Sequence, residues 1–176
     1  MPTTEIQWYW YRKGLLRVFQ RDVHIHNLFG ESTHSLKLAL MNADGSTPFT
    51  FDQLNHEKWS DIKNFECDDI HYTAAGITIS SPGVLGDLYY GSGGVSWYTS
   101  QNVYTFTLSG SISARAAVIY QFIDAGDGIP DDNGYLLMCS PFDELISATA
   151  AEFSIILEVW GGAPFGYLTL FTIPTP

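Results

Sequence analysis

Positive charge is scarce in this chain. Its 176 residues hold 8 Lys and Arg against 19 Asp and Glu, for a formal net charge of -11. The deficit is uneven. Up to residue 63 seven cations (Arg12, Lys13, Arg17, Arg21, Lys37, Lys58, Lys63) balance seven acids, and from residue 64 onward Arg115 stands alone against twelve. Such an acidic stretch repels nucleic acid and anionic lipid, so neither is expected as a partner of that part. Long apolar runs are missing too. None reaches 18 residues, and no membrane-spanning helix is expected. The first ten residues, MPTTEIQWYW, carry an acid where a secretory signal would place basic residues before an apolar stretch, so no signal is read there. Cysteine is limited to Cys67 and Cys139. A single bridge is allowed by count, but two isolated small hydrophobes in a reducing cytosol is the expectation.

Signatures of catalysis are also lacking. No G-x-S-x-G elbow occurs, and Asp143-Glu144, being adjacent, would face opposite ways on a strand. The chain is therefore not expected to be an enzyme or to need a cofactor.

What the chain does have is the material of a β-rich core. It is 45% hydrophobic and 15% aromatic, with 16 Gly and 8 Pro, which suits one all-β domain with many turns. The organising stretch runs from Val95 to Phe122. It predicts two or three strands with a bend around Ser100 to Asn102 and a turn at Gly110. The run SARAAVIYQF that follows has the length and apolar density of a strand buried on both faces. Its one charge, Arg115, must pair with a carboxylate or point to solvent.

Ahead of that block, apolar residues at Trp8, Tyr11, Leu15, Val18, Phe19 and Val23 predict a helix whose other face carries Arg12, Lys13, Arg17 and Arg21. Gly14 weakens its middle. The aromatic run Trp8 to Tyr11 is too dense for water and belongs inside the domain or at a contact with another chain. A strand is expected over Leu36 to Met41, closed by Asp44-Gly45, then a short helix over Glu57 to Ile62 with Trp59, and a strand over Gly76 to Ser80 ended by Pro82-Gly83. Val84 to Tyr90 reads as a further strand, and GSGG at 91 to 94 as a flexible connection. Strands over Tyr135 to Phe142, Glu152 to Trp160 and the closing FGYLTLFTI complete a mainly β fold of the β-sandwich or jelly-roll kind. Residues 1–30 are read as an N-terminal extension with an amphipathic helix, and 31–176 as the sandwich domain.

Metal chemistry has only fragments. His24 and His26 form an H-x-H pair with His34 near it, but no third ligand stands at a metal-site spacing. The loop with Asp124, Asp127, Asp131, Asp132 and Asn133 has oxygen ligands that suit Ca²⁺ without the EF-hand spacing, so a solvated turn is the expectation. No metal site is assigned.

The order of the pieces carries a resemblance. The helix YRKGLLRVFQRDVHI precedes the strand HSLKLALMN; then come HEKWSDI, the turn YTAAGITI, a Trp in VSW, and SISARAAVIYQF. This is similar to small β-sandwich virion proteins of tailed bacteriophages, and resembles most the capsid cement or decoration proteins of cyanophages, over roughly residues 11 to 122. The sequence departs in having Ala75 where a second glycine is often found, and in a longer, more acidic tail. The resemblance implies a structural protein on the outer surface of an icosahedral head. It also implies the major capsid protein as partner, self-association as a trimer or a dimer, and no nucleic acid or membrane contact. The expected contact residues are Trp8, Trp10, Tyr11, Arg12, Lys13, Arg17 and Arg21. Two other readings are a tail tube or tail-fibre component and a virion-surface carbohydrate-binding module using Trp97, Tyr98 or the Asp124 to Asp132 loop.

Overall fold

The structure, a computed structural model, describes residues 8–19, 34–42, 48–68, 72–79, 89–91, 94–99, 103–107, 111–125, 130–149, 152–156 and 166–172. It is mostly β, with a five-stranded antiparallel sheet and few helices. In chain order that sheet uses β1 (Tyr9–Trp10), β2 (His34–Asn42), β3 (Ile77–Thr78), β7 (Ser111–Ile123) and β8 (Leu136–Thr149), arranged β1-β8-β7-β2-β3. A second ladder joins β4 (Tyr89–Gly91), β5 (Gly94–Thr99) and β10 (Gly166–Thr172), and a third joins β6 (Val103–Thr107) to β9 (Glu152–Ile156). The helices are α1 (Arg12–Phe19) and α2 (Trp59–Ile62), the latter running into a 3-10 turn at Lys63–Phe65.

The apolar run in β7 does what its composition demands. Residues 116 to 122 are all buried, and alternate side chains enter two separate cores. One face joins Ala117 and Ile119 to Leu36, Leu38 and Leu40 of β2, with Trp10, Leu137 and Met138. The opposite face joins Ala116, Val118, Tyr120 and Phe122 to Ala39, Met41, Tyr11, Leu136 and Cys139. Segment 48–68 covers this second face with Phe49, Trp59 and Ile62. The Trp59 ring stacks on Tyr120, centroids 4.0 Å apart and planes 11° off parallel. Arg115 resolves as the solvent-facing case, since its side chain is exposed.

Short pieces lie along parts of both sides of the three long strands. On the β2 side Ile79 donates its N–H to the Leu36 carbonyl, and Cys67 donates to Leu40. On the β8 side Tyr11 donates to Leu137, Leu136 to Glu57, and Trp59 to Gly134. Covering an edge with short pieces removes a template for unwanted strand pairing.

Several expectations shift. Tyr9 and Trp10, expected to be helical, form a strand opposite Cys139 and Met138, because their backbone groups complete the open side of β8. The helix begins only at Arg12. Residues of the 8–19 segment pack on the sheet and its cores, and the boundary expected at residue 30 lies outside the described residues. The strand expected to stop at Phe142 continues to Thr149, passing Pro141, which lies beyond the end of β1 where that side of β8 needs no donor. Between the pairs Ala114–Ile146 and Ala116–Pro141, residues 142–145 stand against Arg115 alone, an irregularity of register that holds Asp143 and Glu144. Of the GSGG run expected to be a flexible connection, Gly91 and Gly94 pair between β4 and β5, and the two residues between them lie outside the described residues. The turns expected at Asp44-Gly45 and Pro82-Gly83, and the bend at Ser100 to Asn102, lie outside the described residues.

Candidate contact surface

The residues expected to make contacts divide sharply by where the fold puts them. Trp10 and Tyr11 are buried in this chain's own cores, one on each face of the sheet, and Trp8 is partly buried against the first. Of the two fates open to the aromatic run, these three take the interior, and Trp10 and Tyr11 offer no surface to a partner. The Tyr11 hydroxyl lies against the Cys139 thiol deep in the second core, and burial raises the pKa of both groups, the thiol to about 12. Arg21 lies outside the described residues.

Lys13 and Arg17 face outward but are engaged within the chain. Lys13 Nζ is 2.8 Å and Arg17 Nη2 3.2 Å from the two carboxylate oxygens of Glu57. The hydrogen bond from Lys13 holds the Glu57 carboxyl below its ordinary range, helped by Arg17 and opposed by partial burial. The Arg17 guanidinium also lies 5.0 Å from the Tyr135 ring centre, with Lys58 Nζ 6.0 Å from the same ring. These contacts pin α1 to segment 56–58 and to the start of β8.

Other groups remain outward. Among the described residues Tyr9, Leu16 and Leu54 are the exposed large hydrophobics, at 38%, 51% and 56%. Arg12 and Leu16 are one helical turn apart on the same side of α1. Leu54 sits in a turn bound to that helix start, since the Arg12 N–H donates to the Gln53 carbonyl at 3.1 Å and Gln53 Nε2 donates to the Trp10 carbonyl at 2.9 Å. Asp52 fixes the turn by accepting the Leu54 and Asn55 N–H groups at 3.0 Å each and the Asn55 amide at 2.7 Å. Leu16 and Leu54 give no pattern in sequence that separates them from core leucines; Leu16 is on the outward side of α1 and Leu54 in the exposed Asp52 turn.

A second cluster went unread in the sequence. Glu66 is paired through its backbone with Met41, and its partly buried carboxylate accepts the Tyr72 hydroxyl at 3.0 Å and the Ala75 N–H. The Tyr72 oxygen in turn accepts the Leu40 N–H at 3.0 Å. Burial, opposed by these donors and by Lys37, pushes the Glu66 pKa up to about 7. Lys37 is pulled down by burial, although Glu66 and Asp124 oppose the shift, and its Nζ lies 3.7 Å from the Phe122 ring centre. No motif marks this group, because its members come from three separate stretches.

The acidic loop is a tied turn. Lys63 Nζ reaches both Asp132 oxygens at 2.7 Å, Lys58 Nζ donates to Asn133 Oδ1 at 3.0 Å, and Asp131 accepts the Asn133 N–H at 2.7 Å. Among the described residues no three His, Cys, Asp or Glu side chains converge as a metal site would require. His24, His26 and His71 lie outside them. Trp97 and Tyr98 are neighbours in β5, with Leu168 and Tyr167 as their register partners. Compared with known proteins, the chain matches no family model, no curated protein and no solved structure.

Proposed function

We propose that this protein is a structural component of a virus particle, a cement or decoration protein that binds the outer surface of an icosahedral phage head and stabilises its capsomer contacts. The observation that carries the reading is the outward placement of Tyr9, Arg12, Leu16 and Leu54, with Arg12 and Leu16 on one side of α1 and Leu54 in the turn bonded to the start of that helix. They stand beside a sheet whose central strands are buried on both faces. The partner is the major capsid protein, and a protein that binds the assembled lattice better than its separated subunits stabilises that lattice by mass action. Self-association as a trimer, or as a dimer, places copies at symmetric positions.

The finer architecture in this reading is a two-sheet sandwich, supported by chain reach. Lys37 pairs with both Thr78 and Tyr120, and Ser96 pairs with Tyr89. A straight course from Ser96 to Tyr120 would cover about 80 Å. The connection from Thr78 to Tyr89 spans at most about 40 Å. The chain from Ser96 to Tyr120 therefore does not run straight, as a second sheet stacked on the first requires.

The test is co-sedimentation with expanded, undecorated capsids, with imaging of the added density. Saturable binding at local symmetry positions, lost in the double variant Arg12→Glu and Leu16→Glu with its fold intact, is the expected result. Unchanged occupancy in that variant removes this surface. A protein that ignores capsids and assembles by itself into rings or fibres belongs to the tail instead.

A further inference from the structure

Asn133-Gly134 is the one Asn-Gly pair in the sequence. With no Cβ on the glycine, nothing shields its nitrogen from the side-chain carbonyl of the asparagine before it. The fold holds this pair in a defined turn. The Gly134 N–H donates to the Asp131 carbonyl at 3.2 Å, and neither Asp132 nor Asn133 has a positive φ, so the turn is of type I with Asn133 in its third position. Hydrogen bonds tie it from several sides. Asp131 Oδ1 accepts the Asn133 N–H at 2.7 Å, and Lys58 Nζ donates to Asn133 Oδ1 at 3.0 Å. The Gly134 carbonyl accepts the Trp59 N–H at 2.8 Å, and the Asp132 carbonyl accepts the Ser60 N–H at 3.2 Å. Gly134 is buried against β7, where a Cβ would stand 2.1 Å from the Gln121 oxygen. The turn therefore joins β7 to the segment carrying Trp59, which covers the second core.

We propose that Asn133 is a self-modification site, converted to aspartate and isoaspartate at a rate set by opening of this turn. The Gly134 nitrogen gives its proton to solvent base and bonds to the side-chain carbonyl carbon of Asn133. The side-chain nitrogen leaves that carbon and, taking a proton from solvent, departs as ammonia, so a cyclic succinimide forms. Water then adds to either ring carbonyl, and the C–N bond that breaks decides between aspartate and isoaspartate. No oxidant, reductant or second reactant enters. Ring closure needs the Asn133 Cβ and the Gly134 nitrogen eclipsed about the Cα–C bond, roughly 120° from the ψ near zero of that turn position. It also needs the Gly134 N–H free of the Asp131 carbonyl. Both movements swing Gly134 off the Gln121 carbonyl and release the Trp59 N–H, so the closed turn is protected and the open turn reacts. The products differ in effect. Aspartate keeps the Lys58 contact as an ion pair. Isoaspartate routes the main chain through the side-chain carbonyl and adds a methylene before Gly134, which then no longer meets both Gln121 and Trp59. The segment carrying Trp59 is left permanently loosened.

Two rates measured on the full-length protein at the same neutral pH and temperature test this. Peptide mapping by mass spectrometry follows Asn133 conversion in the native protein and in urea, and amide hydrogen exchange gives the protection of the Gly134 N–H. Loss of the same proton starts both processes. The fold should therefore slow Asn133 conversion by at least roughly tenfold, and by the Gly134 protection factor to within roughly threefold. Lys63→Ala removes the tie to Asp132 without touching the reacting groups, and should raise both native rates by one common factor while leaving the rate in urea unchanged. Isoaspartate-bearing protein should exchange faster at the Trp59 amide. Native conversion as fast as in urea, or well beyond what Gly134 opening allows, overturns the gating. No product at Asn133 in the time that Gly134 protection sets for half conversion overturns the site, and an equally protected Trp59 amide in the modified protein overturns the loosening.

Discussion

Gly14 of α1 rides directly on the Leu136 carbonyl of β8, so close that a Cβ there would stand 2.0 Å from the oxygen. The residue that weakens the helix in isolation is what lets the helix dock. Alanine at this position gains about 1 kcal/mol of helix propensity. The helix must then lift off the sheet, breaking the seating of Tyr11 and Leu15 and straining the Lys13 and Arg17 bridges to Glu57. Gly14→Ala should therefore lose at least about 2 kcal/mol net. Urea unfolding gives the number, with exposed Leu16→Ala as the control that stays within about 0.5 kcal/mol.

The turn at Ala75 gives a paired prediction. At φ of +68° a β-branched side chain is strongly disfavoured and glycine is not. Ala75→Gly relieves strain but loses a buried methyl and adds unfolded-chain entropy, so it should stay within about 1 kcal/mol of the parent. Ala75→Val should lose more than about 2 kcal/mol. Tyr120→Phe leaves the Ala75 carbonyl without its donor while keeping the Trp59 stack, and should lose about 1 to 2 kcal/mol. Equal effects of Gly and Val at position 75 in thermal unfolding would remove the left-handed assignment.

These two positions also mark how far the sequence can be read. The two-faced burial of β7 was legible because the apolar run Ala116 to Tyr120 has no polar side to give to solvent. The strand at Leu36 to Met41 was legible from its apolar run, and the short helix carrying Trp59 was legible as an element although its segment is mixed in period, the observed helix starting at Trp59 where Glu57 was expected. Tyr9–Trp10 was not, because two aromatics fit a helix pattern as well as an edge strand, and only the open side of β8 chooses between them. The contact residues were partly legible. Charge placed Arg12, Lys13 and Arg17 outside, but Glu57, 40 residues beyond Arg17, engages two of them, and no local pattern announces that pairing. The Glu66 cluster lay beyond sequence reasoning for the same reason.

The two cysteines are separated by the sheet itself. Cys67 belongs to one core and Cys139 to the other, and both are buried free thiols. No rearrangement short of unfolding brings them to the roughly 6 Å Cα separation a bridge needs. A thiol reagent such as DTNB should leave the native protein unlabelled at neutral pH and label two groups per chain in denaturant, since burial holds the Cys139 thiol up to about 12. Rapid native labelling would contradict both the burial and the seating of Tyr11 over Cys139.

The Glu57 bridges should matter little for stability and more for orientation. They are partly solvated, and pairs of that kind contribute about 1 kcal/mol or less, shrinking as salt rises. Because Glu57 titrates below its ordinary value when folded, its contribution is present above the ordinary glutamate range and fades as pH falls through the lowered one. Glu57→Gln should therefore cost no more than about 1 kcal/mol at low salt, and the difference should vanish at about 1 M salt or at acid pH. The same change frees Lys13 and Arg17 beside Arg12 and so makes the outward side of α1 more basic. If that side meets an acidic partner surface, Glu57→Gln should raise the association rate with capsids at low salt while leaving the unfolding midpoint almost unchanged. An unchanged rate would place the contact on Tyr9, Leu16 and Leu54, with charge as a bystander.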